Sequence, residues 1–397
     1  MTSFQFGCPT PQGRARVSPE RGREPMTAIF DTTQLSGLEL ANRLVRSATW
    51  EGLADADGRV TPELLHIYRE LAEGGVGLII SSYLYIQKVG QQSVGQIAVD
   101  RDDLIPGLAS LADIVHEHGG KIVGQIVHCG GQANTEQNGG RHLVAPSAIE
   151  DPGYPEVPHE LTADEIHQII DDFGAAARRL QQAGFDGVQL HGAHGYLLAA
   201  FLSPLRNRRT DEYGGSLENR SRLCLEIYRK IRTTVGPDFP VMIKLNANDF
   251  LDGSTTETDS TFLASALAAE GIDAIEVSGG TPGSGLLGAA RPNIKGPDEE
   301  AYFLSQARAI AKAAPQVPLM LVGGIRSPEI MEKILAEGAV QYFSMSRPLI
   351  REPGLPTRWL EGDRERAACV SCLGCYGPAR KGEGIRCVQE KGLPANA

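Results

Sequence analysis

The chain has 397 residues, 41% of them hydrophobic and 22% charged, with a formal net charge of −11. That length and apolar content suffice for one large core of the kind α/β barrels build. The acidic balance argues against a general nucleic-acid partner, which needs a basic face, and no run approaches the roughly 18 apolar residues of a membrane span.

Residues 1–28 carry arginines and prolines but no apolar stretch of signal-peptide length. They read as a loose tail, and secretion is not expected. From there, short apolar runs alternate with longer amphipathic ones. Leu44 to Ser47, Gly77 to Ser81, Lys121 to Val127, Gly187 to Leu190, Val241 to Leu245, Ala274 to Val277, Leu319 to Val322 and Gln341 to Met345 are the eight predicted strands. Their apolar residues do not alternate, as in strands buried on both faces. Ala163 to Ala183 and Asn219 to Val235 are predicted helices. The pairs Ala183-Gly184, Glu270-Gly271 and Glu337-Gly338 put a glycine where a left-handed cap would end a helix. Eight such units predict an α/β fold, a (β/α)8 TIM barrel over 29–360, with a short cysteine-containing extension over 361–397. A doubly wound sheet would need a G-x-G-x-x-G turn after an early strand, and none occurs there.

In such a barrel the chemistry sits at the C-terminal strand ends. Gln125, inside the apolar third strand, is an amide where Val or Leu would be expected, and a buried amide costs free energy unless paired. After the fourth strand comes His191-Gly192-Ala193-His194-Gly195-Tyr196. Two imidazoles there can donate hydrogen bonds to a developing anion, and a phenol can supply a proton. Lys244 stands in the fifth strand between Ile243 and Leu245. Gly323-Gly324 follows the seventh strand and Ser346-Arg347 the eighth, the usual phosphate position of this fold. Glycines let backbone N–H groups approach phosphate oxygens, and Arg347 can add a charged contact.

His191 to Tyr196, followed by Phe201-Leu202-Ser203-Pro204 and by the stretch from Arg209 to Arg220, resembles the old yellow enzyme family of FMN-dependent ene-reductases. The likeness is closest to its bacterial branch and to the flavin domain of bacterial 2,4-dienoyl-CoA reductase and trimethylamine dehydrogenase. It runs from about Phe30 to about Pro353. The resemblance implies FMN in the barrel and NAD(P)H as co-substrate, both substrates using one site in turn. On that reading Ser47, Ala48 and Thr49 press against the flavin edge, His191 also borders it, and Gln125 bonds its pyrimidine side. Lys244, an Arg in many relatives, stabilises the anionic reduced ring. Gly323, Gly324, Ser346 and Arg347 hold the phosphate. His191 and His194 then grip the carbonyl oxygen of an enone-type substrate, and Tyr196 protonates the α-carbon after hydride transfer from flavin N5.

Two features depart from the family. Trp50 replaces the Cys or Thr that relatives place beside the flavin; its indole would narrow the pocket, stack on substrate or shift the flavin potential. Four of the seven cysteines fall in the last thirty residues, as Cys369-x2-Cys372-x2-Cys375 and Cys387. That crowding suggests a metal site in a reducing, cytoplasmic compartment rather than disulfides. It resembles the iron–sulfur ligands of the two dehydrogenase-type relatives, and a triple run points to [4Fe–4S] more than to zinc, with unligated cysteines the remaining alternative. A second reading of the whole is therefore an FMN and iron–sulfur subunit served by a separate electron-transfer protein. A third is a non-redox aldolase with Lys244 forming a Schiff base. A homo-oligomer with no nucleic-acid or membrane partner is expected.

Overall fold

The computed structural model describes residues 28–389; the tail expected over 1–28 lies, except for its last residue, outside the described residues. All eight predicted strands form. They are β1 (Leu44–Arg46), β2 (Leu78–Tyr85), β3 (Ile122–Val127), β4 (Gly187–Gly192), β5 (Val241–Asn246), β6 (Ala274–Ser278), β7 (Leu319–Val322) and β8 (Tyr342–Met345). Each pairs in parallel with its sequence neighbours, and β8 pairs with β1 to close the barrel. Four strands outrun the sequence reading, β5 by Asn246 and β6 by Ser278 alone. β2 continues past Ser81 to Tyr85, and β4 past Leu190 to Gly192, because the residues at those ends are as buried as the apolar ones before them.

The barrel is cased by helices: α1 (Pro62–Glu73), α2 (Ile105–Glu117), α3 (Ala163–Gln182), α4 (Leu217–Val235), α5 (Glu257–Glu270), α6 (Leu304–Ala313) and α7 (Pro328–Ala336). Their starts are chemically marked. Thr162 and Glu165 cap α3 reciprocally, the Thr162 N–H donating to Glu165 Oε2 at 2.8 Å, and Thr256 and Asp259 do the same for α5. Each such cap supplies partners for backbone N–H groups that a helix start leaves open. Gly184, Gly271 and Gly338 all take positive φ, so the three predicted stops are real.

One core lies between strands and helices and a second fills the barrel interior, where Val45, Leu78, Val123, Met242 and Met320 meet. A two-stranded hairpin, Thr33–Leu35 with Leu38–Leu40, was not foreseen from the sequence. Its fully buried Leu35 and Leu40 join the interior core and plug the N-terminal mouth, each leucine adding about 1.5–3 kcal/mol. The long Arg209–Arg220 stretch that carries much of the family likeness is scaffold. The Asn207 amide bonds Phe201 O and Tyr213 O at 2.7 Å, Arg209 bonds Pro146 O at 3.1 Å, and Arg220 pairs with Asp259 at 2.9 Å. Nearby, buried Arg206 ion-pairs with Asp151 (2.8 Å) and Asp249 (3.0 Å), fastening together the loops that follow β3, β4 and β5. Among the described residues no helix is long and apolar enough to cross a membrane.

Candidate active site

A cavity of mixed polar and apolar lining opens at the C-terminal ends of the strands. Ser47 and Ala48 after β1, Lys244 on β5, Gly324 after β7 and Ser346 and Arg347 after β8 all line it, whereas Gly323, Gln125 and His191 do not. Its floor is ionic. Lys244, 3% exposed, donates to Ser47 Oγ at 2.7 Å and pairs with Glu276 at 3.0 Å. Gln125 lies just below, its Nε2 on Gln189 Oε1 at 2.6 Å. Thr49 does not line the cavity but braces it, sharing a 2.8 Å hydrogen bond with Ser346 Oγ.

The residues fit FMN. Gln125 Oε1 and Ser344 Oγ are buried without a partner, and a buried orphan acceptor or hydroxyl is a group awaiting one. Gly323 and Gly324 both have positive φ, and a Cβ on Gly324 would stand 2.9 Å from the Tyr302 ring. Only glycine backbone can come so close there. The Arg347 guanidinium donates to Arg291 O at 2.9 Å and pairs with no carboxylate among the described residues, which leaves its charge for a phosphate.

The roof of the site is the cluster of His191, His194 and Tyr196, of which only His194 lines the cavity itself. The His191 ring meets His194 at 5.0 Å and Tyr196 at 4.8 Å between centroids, both edge-on. His194 sits at φ 64° and Gly195 at φ 86°. A side chain at Gly195 would collide with the Gln132 amide, so the turn that carries Tyr196 demands glycine. The strained His194 backbone is held by its N–H on Asn246 Oδ1 (3.1 Å), and its Nε2 by Ser278 Oγ (2.8 Å). A non-glycine residue in this region costs about 1–3 kcal/mol and tends to persist at functional sites. Burial, with the Lys244 charge adding to it, pushes the His194 pKa down to about 3, and burial likewise holds His191 well below the usual imidazole value. Burial pushes Tyr196 up. All three groups are therefore neutral hydrogen carriers at physiological pH. His191 Nδ1 has no partner.

Trp50 does not share the cavity with Lys244. It lines an adjoining one of about 430 Å³ with Tyr83, Tyr154, Tyr376 and Arg380, its indole N–H held by Val94 O at 3.0 Å. The Tyr196 hydroxyl donates to Gln92 Oε1 at 2.7 Å, and the Gln92 amide donates to Tyr154 at 3.0 Å. Sequence reasoning missed Gln92 and Tyr154, which lie on loops with no periodic signal, and Tyr376, which opens a helix of only five residues, Tyr376–Arg380. It also missed Glu276, although a charge between Ile275 and Val277 is the same signal that found Lys244.

All four extension cysteines, Cys369, Cys372, Cys375 and Cys387, are free thiols lining one small cavity, which shares Cys369 and Arg347 with the cavity over Lys244. Burial, then Cys369, pushes the Cys375 thiol up to about 11. Among the described residues, no three or more His, Cys, Asp or Glu side chains are gathered around a single-ion position.

A closed parallel barrel whose C-terminal mouth gathers Lys244, His194, Gly324 and Arg347 around one cavity is the frame of a flavin oxidoreductase. The chain belongs to the NADH:flavin oxidoreductase / NADH oxidase family, whose model matches residues 28–365. This is the NAD(P)H-using family of the old yellow enzyme type. The chain is 37% identical to an NADH oxidase of Thermoanaerobacter brockii over 88% of its own length and 53% of that protein's. It thus spans about half the length of the first curated relatives it matches. Among solved structures it is similar to a 2-naphthoyl-CoA reductase complex (TM-score 0.84, 31% identity, 91% of this chain and 56% of that one). It is similar also to an old yellow enzyme homologue of Zymomonas mobilis (TM-score 0.73, 27% identity, 84% and 92%).

Proposed function

We propose that the chain reduces activated C=C bonds of α,β-unsaturated carbonyl compounds with electrons from NADH or NADPH. The observation that carries this is the roof: the neutral His191 ring lies 5.0 Å from the His194 ring and 4.8 Å from the Tyr196 ring, and His194 lines the cavity that also holds Lys244. FMN, when bound, would supply the hydride relay between nicotinamide and alkene. Ser47, Ala48, Gln125, Lys244, Gly323, Gly324, Ser346 and Arg347 would hold it. His191 and His194 would donate to the substrate oxygen as it gains negative charge, and Tyr196 would hand a proton to the α-carbon. The adjoining cavity, where Trp50, Tyr83, Tyr154 and Tyr376 stand among Gln92, Asn134, Glu136 and Arg380, would take a flat, conjugated acyl compound, since pockets of about 300–1,000 Å³ take small ligands and aromatic walls stack on them. The test is anaerobic. NAD(P)H should bleach the bound flavin, and 2-cyclohexenone should restore its colour with formation of the saturated ketone. An FMN-loaded protein that no enone reoxidises sinks the reading.

The cavity shared by the four cysteines favours a second reading beside the first. Cys369, Cys372, Cys375 and Cys387 would hold a [4Fe–4S] cluster, with zinc the alternative, and pass electrons between FMN and a separate protein. Iron, zinc and acid-labile sulfide measured on anaerobically purified chain decide it; absence of all three leaves the thiols unligated. Gel filtration and cell fractionation check the homo-oligomeric, cytoplasmic form we propose.

A further inference from the structure

The geometry points to Glu276 as a built-in counter-charge that sets the reducing strength of the bound flavin, acting through Lys244 and Ser47. This rests on the reading that FMN occupies the cavity. Glu276 is 0% exposed in the middle of β6, within a buried polar group beside the apolar interior cluster that holds Met242 and Met320. Both of its oxygens are committed. Oε1 accepts from Ser47 Oγ at 2.7 Å, and Oε2 accepts from Lys244 Nζ at 3.0 Å and from Gln189 Nε2 at 3.1 Å. Ser47 also accepts from Lys244 Nζ at 2.7 Å, so lysine, serine and carboxylate close a three-membered ring. Gln189 extends the network to Gln125.

The placement is layered. Lys244 and Ser47 line the cavity, while Glu276 and Gln189 do not. The flavin side therefore meets an ammonium and a hydroxyl, with the negative charge held one side chain deeper. Stability alone does not explain such a pair. Replacing a buried ion pair by well-packed apolar residues is often neutral or stabilising, and the apolar interior shows that such packing was open to this barrel. A lone buried cation would hold added electrons tightly, because charges a few ångströms apart interact strongly away from water. With Glu276 behind it, the floor carries no net charge. The ammonium still orients toward the ring edge, yet its pull on the electron pair is partly cancelled. The cofactor is thereby kept a stronger hydride donor. Glu276 is a positioning residue, since it touches Lys244 and Ser47 rather than the reacting atoms.

The test compares the FMN-loaded wild type with E276Q, K244Q and the double variant by anaerobic potentiometric titration and by sulfite binding. E276Q should move the midpoint potential upward and tighten sulfite on the order of tenfold. K244Q should move both the other way, and the double variant should return near wild type. Should E276Q fail to fold, an upward shift from K244Q to the double variant still reads the same charge. Unchanged potential and sulfite affinity on removing Glu276 would overturn the proposal. A wild-type chain that takes up no FMN overturns it together with the reading beneath it, and an FMN-loaded chain inert to enones overturns only that reading's substrate. Melting temperatures of the apo variants report any purely structural share.

Discussion

The floor and the roof of this site grow from the same strand ends, yet they handle charge in opposite ways. On the floor, Lys244 and Glu276 form a salt bridge and both bond Ser47. On the roof, burial keeps His191, His194 and Tyr196 uncharged. A permanent charge suits a place where a resident cofactor stores electrons, because its field acts in every cycle. A substrate that must arrive and leave is better served by neutral donors, whose N–H and O–H dipoles strengthen as charge develops in a dry pocket.

The largest break in that contrast should come from deleting the donors. Replacing His191 and His194 together by Ala removes two groups worth roughly 10²–10³-fold each. Enone-dependent reoxidation should then fall on the order of 10⁴-fold, while the floor still binds FMN. Rapid mixing of reduced protein with cyclohexenone measures it; wild-type rates would move the anion hole elsewhere.

Tyr196→Phe tests the roof's proton alone. Reduction of the flavin by NAD(P)H should stay near wild type, and alkene reduction should drop by about 10²–10⁴-fold. Equal slowing of both halves would make Tyr196 a packing residue.

How legible this was follows the physics of each signal. Buried parallel strands leave continuous apolar runs, so all eight were readable, and strand ends that bear polar groups were cut short at Ser81 and Leu190. Gly195 and His194 were readable as a motif but not as a strained turn, since φ leaves no trace in composition. The hairpin plug was invisible because three-residue strands carry no period. Gln92 and Tyr154 sit on separate loops that meet only when the barrel closes. Glu276 was overlooked for a different reason: its meaning depends on Lys244 across the β5–β6 pairing, where the two face each other in register.

A smaller effect is expected from Gln92→Leu. This change deletes the acceptor of the 2.7 Å Tyr196 hydrogen bond without touching either imidazole. A net hydrogen bond of about 0.5–1.5 kcal/mol translates into roughly 2–10-fold slower alkene reduction, with flavin reduction unchanged. An effect as large as that of Tyr196→Phe would show that Gln92 takes part in the proton's path and does not merely aim the phenol.

The smallest effect should be pH itself. A free imidazole titrates near about 6.5, but the folded His194 does so at about 3 and His191 also well below its usual value. Between about pH 5.5 and 8.5 both stay neutral, so the reoxidation rate should run flat where a histidine enzyme commonly bends. Stability should not be flat. Unfolded histidines take up protons below about 6.5 that folded His194 refuses until about 3, so its contribution declines as pH falls through that window. Burial raises Glu51 to about 7, and its contribution runs the other way, full below about 4.5 and lost as pH rises through about 7. The two can be separated by melting Glu51→Gln against wild type across the range. A bend in the reoxidation rate near pH 6.5 that vanishes in His194→Gln would mean that the roof works as an imidazolium, and the division between a charged floor and a neutral roof would fall.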